Sequence, residues 1–220
     1  MDALQAYLDA HYLAAAPFAR ACRISADALA ALMDDRLVPK PSYVVTADGT
    51  LHSAAFGAMP AGGATPGEYH HRGHAAWVAR ARELQATLGT EAARTALQAH
   101  FTTGFAAAFA ERGADEAARL ATGAWDSFLR GVHGVCVADP SSVENIARKE
   151  SLQATLAELT ANGTRHEFPP GTAERVLGMI DDYAASSMAF APPEYPRSSR
   201  KRLVDDLRAR IASGAGVSRD

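Results

Sequence analysis

The spacing of apolar positions predicts three short helices at the start of the chain. Over residues 3–13, apolar side chains recur three and four positions apart, as on one face of an amphipathic helix. Pro17 suits the first turn of a second helix, and Ser25 is a favourable N-cap for a third helix, residues 26–37. Pro39 follows this third helix and prevents its continuation.

The pattern then changes to one typical of strands. Residues 42–46 are rich in β-branched and aromatic side chains, and residues 50–53 continue after Asp48-Gly49, a dipeptide typical of a hairpin turn. Residues 58–67 contain Met-Pro, Gly-Gly and Pro-Gly pairs, which predict a loop. We therefore expect one β-hairpin followed by a loop.

From residue 73 onward the pattern is helical. Phe101, Phe105 and Phe109 recur every four positions, and Ser141 and Glu144 have capping-box spacing at the start of a later helix. The predicted helices are residues 74–88, 91–112, 116–131, 141–161, 173–190 and 198–211. The expected fold class is mainly α: a degenerate winged helix-turn-helix module with one β-hairpin, fused to a C-terminal helical bundle. The module takes residues 1–72, the bundle residues 73–212 and a flexible tail residues 213–220.

Composition and charge limit the cellular locations and the binding partners that the sequence suggests. The chain has 220 residues, of which 48% are hydrophobic, and a net charge of −3, which does not suggest a strongly basic nucleic-acid binder. No stretch approaches the ~20 apolar residues of a membrane span, and Asp2 and Asp9 interrupt the N-terminal segment, unlike a secretory signal. Two cysteines, Cys22 and Cys136, form no disulfide framework, although a single bridge between them stays open. We expect a cytoplasmic protein without membrane contact; a homodimer is compatible with the sequence.

Residues 15–43 resemble the opening of a MerR-type winged helix. The resemblance is carried by Phe18-Ala19-Arg20, Ile24-Ser25 and the segment 37–43. It implies a DNA-binding fold, but the charges argue against nucleic acid as a partner. Residues 1–50 hold six aspartates and four Lys or Arg, whereas DNA affinity comes largely from basic side chains at phosphates. We therefore interpret this module as a reused scaffold.

The chain as a whole is similar to a bacterial domain-of-unknown-function family whose members are labelled natural-product biosynthesis proteins. The residues that carry this similarity are Leu37-Val38-Pro39-Lys40-Pro41-Ser42-Tyr43, Ala55-Phe56-Gly57, Gly67-Glu68-Tyr69-His70-His71, Ala76-Trp77-Val78, Trp125-Asp126-Ser127-Phe128-Leu129, Gly131, Gly134-Val135-Cys136, Arg148-Lys149-Glu150, Phe190-Ala191-Pro192 and Arg197-Ser198-Ser199-Arg200. The resemblance implies a biosynthetic setting and brings no catalytic residues. His133 stands where an aromatic residue is expected.

The densest polar cluster runs from Glu68 to His74. His70, His71 and His74 are candidate ligands of a divalent metal, the one cofactor that the sequence suggests, and His52 on the hairpin adds a fourth imidazole. Glu68 and His71 are candidate acid–base residues. The alternative is a polar loop and helix start, because the spacing matches no metal-site template.

Two further pairs of residues are candidates for chemistry. In one interpretation His133 is a base and Cys136 a nucleophile. In the alternative, the two residues end a helix and Cys136 is a buried thiol. Lys149 is a candidate substrate-binding residue, and its neighbour Glu150 becomes a functional candidate if it points inward; the alternative is a solvated pair.

Two arginines and a tyrosine complete the candidates. Arg197 and Arg200 belong to the basic cluster at residues 197–202, which is suited either to an acidic substrate or to the solvated surface of a helix. Tyr43 is the remaining candidate substrate-binding residue.

Three hypotheses about function follow. The first is a cytoplasmic protein of natural-product biosynthesis that binds, or as an enzyme acts on, an amino-acid-like or acidic small molecule. The second is a ligand-sensing MerR-like transcriptional regulator that binds DNA. The third is a non-catalytic partner within a biosynthetic pathway. Whether the protein is an enzyme stays open at this point.

Overall fold

Small strands cluster in the first third of the chain, and helices occupy the rest. The computed structural model describes residues 2–215. The N-terminal elements are α1 (Ala3–His11), β1 (Tyr12–Ala14), α2 (Ala15–Ala21), α3 (Ala26–Asp34), β2 (Tyr43–Val45), β3 (Thr50–Ser53), β4 (Gly57–Pro60) and β5 (Gly67–His71). The helices that follow are α4 (His74–Leu88), α5 (Thr90–Ala107), α6 (Ala114–Leu129), α7 (Val132–Cys136), α8 (Val143–Leu159), α9 (Pro170–Ser186) and α10 (Leu207–Ala215). The expectation of a mainly helical chain is confirmed.

The strands form one antiparallel sheet in the order β1-β5-β2-β3-β4. The hairpin predicted at Asp48-Gly49 is confirmed as the β2–β3 pair, with Tyr43 opposite Ser53. Asp48 Oδ1 accepts a hydrogen bond from Thr50 N at 3.1 Å, and Gly49 adopts the positive φ of 81° that this turn requires.

The prediction of a single hairpin was wrong, because three more strands join the sheet. Residues 12–14 form β1 and pair with β5, although residues 12 and 13 were assigned to the end of the first helix. Residues 57–60, which overlap the predicted loop, form β4, and the polar segment 67–71 forms β5. Each of these strands is short and lacks a clear alternation of apolar and polar residues. Their assignment therefore depends on backbone pairing with neighbours distant in sequence.

One buried apolar cluster includes residues from both sides of the boundary at residue 72. Trp77 lies at its centre, with its ring 4.6 Å from that of Phe128 and 5.9 Å from that of Phe101, measured between centroids. The indole Nε1 donates to the carbonyl oxygen of Pro140 at 2.7 Å, which satisfies the buried donor.

A second apolar cluster lies at the C-terminal end and joins the end of α8 to α9 and α10. A 3₁₀ turn (Tyr195–Arg197) precedes the last predicted helix, and residues 199–215 are helical with a π-helical segment at Lys201–Asp206. In the π-helical segment Lys201 Nζ contacts both carboxylate oxygens of Asp206, five residues on. α10 extends to Ala215, so the predicted tail begins inside this helix, and residues 216–220 lie outside the described part.

The corner between α6 and α7 is packed tightly against the segment before β2. Gly131 has a φ of 85°, and a Cβ there would lie 2.6 Å from the carbonyl oxygen of Lys40. A Cβ on Gly134 would overlap Ser42 Oγ. Only glycine fits at these close approaches, and the corner fixes the position of His133 within α7.

Candidate functional site

A buried ion pair lies on α8. Lys149 is only 2% exposed, and its Nζ donates to Glu150 Oε1 at 3.0 Å and to Gln153 Oε1 at 2.7 Å. Adjacent helix positions do not normally face each other, yet both of these long side chains turn towards the interior. The sequence alternative of a solvated pair is therefore wrong for Lys149, and Glu150 meets the condition of pointing inward that makes it a functional candidate.

The two oxygens of the Glu150 carboxylate have different surroundings. Oε1 receives the Lys149 ammonium and also lies 3.9 Å from Cys136 Sγ, a distance at which the thiol can donate. Oε2 has no hydrogen-bond partner among residues 2–215, and the Glu150 side chain is 27% exposed. One oxygen thus holds the residue in place while the other is free for a bound molecule.

Burial and charge set the protonation states here. Burial would raise the pKa of Glu150, but the Lys149 ammonium and the nearby His133 outweigh it and lower that pKa. Burial would lower the pKa of Lys149, but the neighbouring Cys136 and Glu150 groups raise it above its ordinary value. Burial raises the pKa of the Cys136 thiol to about 11, only partly offset by Lys149. At neutral pH the cluster therefore holds an ammonium, a carboxylate and an un-ionised thiol.

The free carboxylate oxygen belongs to a residue that lines a groove with a cavity volume of about 370 Å³. α5 packs against both α6 and α8, and the groove lies between these two helices over Phe105 and Phe109. The residues lining it are Phe105, Phe109, Arg112, Arg119, Leu120, Gly123, Ala124, Ser127, Val132, His133, Glu150 and Ala154. A volume of this size is that of a small-molecule site.

His133 adds an imidazole to the same groove. It is 3% exposed, and its Nδ1 has no hydrogen-bond partner within the described residues 2–215. Burial lowers its pKa to about 4, so the ring is neutral at physiological pH. A carboxylate and a neutral imidazole beside an apolar wall are groups that can accept a proton from a bound molecule. The un-ionised thiol of Cys136 is a poor nucleophile, so the arrangement favours the interpretation of Cys136 as a buried thiol.

The predicted metal ligands are not brought together. His70 and His71 are neighbours on β5, and successive strand residues point to opposite faces. His70 stacks on Phe18 with ring centroids 4.6 Å apart, whereas His71 Nδ1 accepts the backbone N–H of Gly73 at 3.0 Å. Within residues 2–215 no three His, Cys, Asp or Glu side chains are placed to hold a metal ion.

The other residues of that polar segment are also separated from one another. Glu68 is exposed on β5, while His71 and His74 are buried, with their rings 5.9 Å apart. His52 lies exposed on β3. Burial lowers the pKa of His71 to about 4 and that of His74 well below its usual value. His71 and His74 are therefore neutral core residues, and Glu68 and His71 do not form an acid–base pair.

Tyr43 is a buried residue of the sheet. Its Oη donates to Glu194 Oε2 at 2.7 Å, and the same oxygen accepts Ala191 N at 3.3 Å. Burial raises the pKa of Glu194. This hydrogen bond joins β2 to the segment that follows α9, and it leaves Tyr43 without access to a ligand at the surface.

The basic cluster does not form one site. The Arg197 guanidinium lies over the Phe56 ring, 5.5 Å from its centroid, and the residue is exposed. Arg200 Nη1 donates to the carbonyl oxygens of Ala184 and Ser187 at the end of α9, at 2.7 and 3.0 Å. Arg200 thus caps the C-terminus of α9, and neither arginine lies at the groove.

Arg119 and Gly123 line the groove although no sequence motif marks them as site residues. Together with Ser127 they recur every four positions on α6, which places them on one helix face towards the groove. The available signal was the glycine itself, because a glycine inside a helix is unfavourable unless space is needed beside it. A Cβ at Gly123 would meet no atom within 4 Å among the described residues.

Comparison with known proteins gives a family and no function. No helix within residues 2–215 has both the length and the apolar composition needed to cross a membrane. No curated protein and no solved structure matches the chain. One family model matches residues 78–212, which include all the residues that line the groove. The chain therefore belongs to the family of unknown function DUF6058.

Proposed function

We propose that this protein binds an amino-acid-like or acidic small molecule in the groove between α6 and α8 and acts on it as an acid–base enzyme of natural-product biosynthesis. The observation that carries the proposal is the Glu150 carboxylate. Lys149 and Cys136 hold its Oε1, and Oε2 stays free beside a groove that is also lined by the neutral ring of His133.

The lining of the groove supports this class of ligand. Arg119 is 70% exposed and is held only by Glu116 at 3.5 Å, so its guanidinium is available to a carboxylate. Glu150 offers the opposite charge for an ammonium group, and Phe105 and Phe109 offer apolar surface. The resemblance of the chain to natural-product biosynthesis proteins supports the biosynthetic setting.

The N-terminal unit fits the same proposal as a scaffold of winged-helix type. Three helices followed by antiparallel strands agree with that arrangement. Asp27 and Asp34 of α3 are exposed, and such a face is repelled by phosphates. In this proposal the unit holds the α6–α7 corner in place through the close approach of Lys40 to Gly131.

A thermal-shift screen tests the proposal directly. Wild-type protein is melted with amino acids, ω-amino acids and dicarboxylates, and Kd values of the compounds that raise Tm are measured by calorimetry. We expect Arg119→Gln to weaken binding about tenfold or more, while Arg80→Gln, an exposed arginine outside the groove, leaves it unchanged. The absence of any stabilising compound, or equal effects of the two variants, contradicts the proposal.

The DNA-binding alternative has its own measurement. Fluorescence anisotropy with a labelled random-sequence duplex at low salt should show no binding, because the exposed side of α3 is acidic. Salt-dependent binding that strengthens when Asp27 and Asp34 are replaced by asparagine would instead favour the regulator.

A further inference from the structure

The groove has a carboxylate near one end and guanidinium groups near the other. Glu150 and Glu158 are eight residues apart on α8, a rise of ~12 Å along the helix axis. Glu150 lies at the end next to His133, whereas Glu158 binds Arg112 at the other end. Arg119 begins the face of α6 that lines the groove, and Ser127 ends it on the side of α7. The free carboxylate oxygen is therefore near one end and the arginines are near the other.

The middle of the groove is apolar and open. Phe105 and Phe109 stack with centroids 5.1 Å apart, and Ala124 and Ala154 stand on the two walls. Gly123 contributes no side chain to the space. A ligand that reaches both ends must therefore carry an apolar segment between its two charged groups.

We propose that the groove takes an elongated compound with an ammonium group at one end, a carboxylate at the other and an apolar body between them. This proposal rests on the function proposed above and defines its substrate class. The ammonium group binds Glu150 Oε2, the carboxylate binds Arg119, and the apolar body lies over Phe105 and Phe109. An α-amino acid with an uncharged side chain, whose ammonium and carboxylate groups are bonded to the same carbon, cannot occupy both ends.

Arg119 is the specificity-determining residue in this arrangement. Arg112 already pairs with Glu158, whereas the contact of Arg119 with Glu116 is long and exposed, and such pairs contribute little. Lys149 is a positioning residue, because it holds the carboxylate through Oε1 without lining the groove.

A length series tests the proposal. The Kd values of glycine, an α-amino acid, and of the ω-amino acids 4-aminobutanoate, 6-aminohexanoate, 8-aminooctanoate and 12-aminododecanoate are measured by calorimetry beside n-alkylamines of equal length. We expect tightest binding at an intermediate length, and a preference of about tenfold or more for the amino acid over the matched alkylamine. Arg119→Gln should remove that preference without changing the affinity for the alkylamine.

A second test fills the groove with a side chain and compares this variant with a matched control. Gly123→Leu places a side chain in the groove, while Gly178→Leu places the same side chain on exposed α9, where a Cβ also meets no atom within 4 Å among residues 2–215. Circular dichroism verifies that both variants are folded. We expect Gly123→Leu to abolish binding and Gly178→Leu to preserve it.

The outcomes separate this inference from the function on which it rests. Binding that is tightest for α-amino acids, or independent of chain length, overturns the elongated ligand and leaves a small-molecule groove in place. A preference for amino acids over alkylamines that persists in Arg119→Gln overturns the role of Arg119. If no compound of either series binds the wild-type protein, the elongated ligand is overturned, and the proposed function fails as well only if no amino acid or dicarboxylate raises Tm.

Discussion

The buried pair of Lys149 and Glu150 predicts an asymmetric response to mutation. Glu150→Gln leaves an ammonium that is 2% exposed without its anion, which should cost about 3–5 kcal/mol of the free energy of unfolding. Lys149→Met leaves a carboxylate that is 27% exposed and can be hydrated from the groove, so we expect a smaller loss of about 1–2 kcal/mol. In the double variant neither charge remains, and the loss should again be only about 1–2 kcal/mol.

Urea denaturation followed by circular dichroism at neutral pH measures all three variants and gives the coupling energy of the pair. Arg148→Met is the matched control, because Arg148 is the preceding residue of α8 and makes only an exposed pair with Asp182; its effect should stay below about 1 kcal/mol. If the losses of the two single variants add in the double variant, or if Lys149→Met is the more harmful change, the charges are not coupled. The assignment of Glu150 as a held carboxylate would then be refuted.

The surroundings of His70, Gly123 and Tyr43 each predict a measurable change in stability. His70 is buried against Phe18, and burial lowers its pKa from 6.5 to about 4. Between these two pH values the unfolded state binds a proton on this imidazole that the folded state does not bind, so the free energy of unfolding falls as the pH drops through that range. His70→Leu should reduce this slope by about 1.4 kcal/mol per pH unit in thermal melts, and an unchanged slope would contradict the assignment. Gly123→Ala should stabilise α6 by about 0.5–1 kcal/mol in urea, because a Cβ there meets no atom within 4 Å among the described residues; a loss of stability would show that the position is not open. Tyr43→Phe removes the 2.7 Å hydrogen bond to buried Glu194 and should cost about 1.5–3 kcal/mol, with Tyr195→Phe, whose phenol meets an exposed carboxylate, as a control that changes stability little.

The helical part of the fold could be predicted because its signals are local. The start of α4 at His74 and its end before Gly89 agree with the sequence, and the phenylalanines every four residues on α5 are buried as expected. Caps and apolar stripes depend on residues within one or two turns. Helix ends shifted where tertiary contacts intervened. The helix predicted over 26–37 ends at Asp34, and the one predicted over 173–190 ends at Ser186.

The sheet and the groove could not be predicted in the same way. β1 and β5 pair across more than 50 residues of chain, and their own sequences contain no distinctive strand pattern. This pairing places His70 and His71 on opposite faces of the sheet, so these two of the three histidines that suggested a metal site point away from each other. Composition could suggest ligand types, but coordination requires several side chains to converge on one point.

The sequence by itself determined the mainly helical class, the position of most helices and the residue types available for chemistry. The tertiary structure decided which of those residues meet. Cys136 at the end of α7 and Glu150 on α8 lie 3.9 Å apart between Sγ and Oε1, and Arg119 and Glu150 line one groove because α6 and α8 both pack on α5. Secondary structure is set by short-range patterns, whereas a binding groove forms where separate elements pack together, and that arrangement depends on contacts between residues distant in the chain.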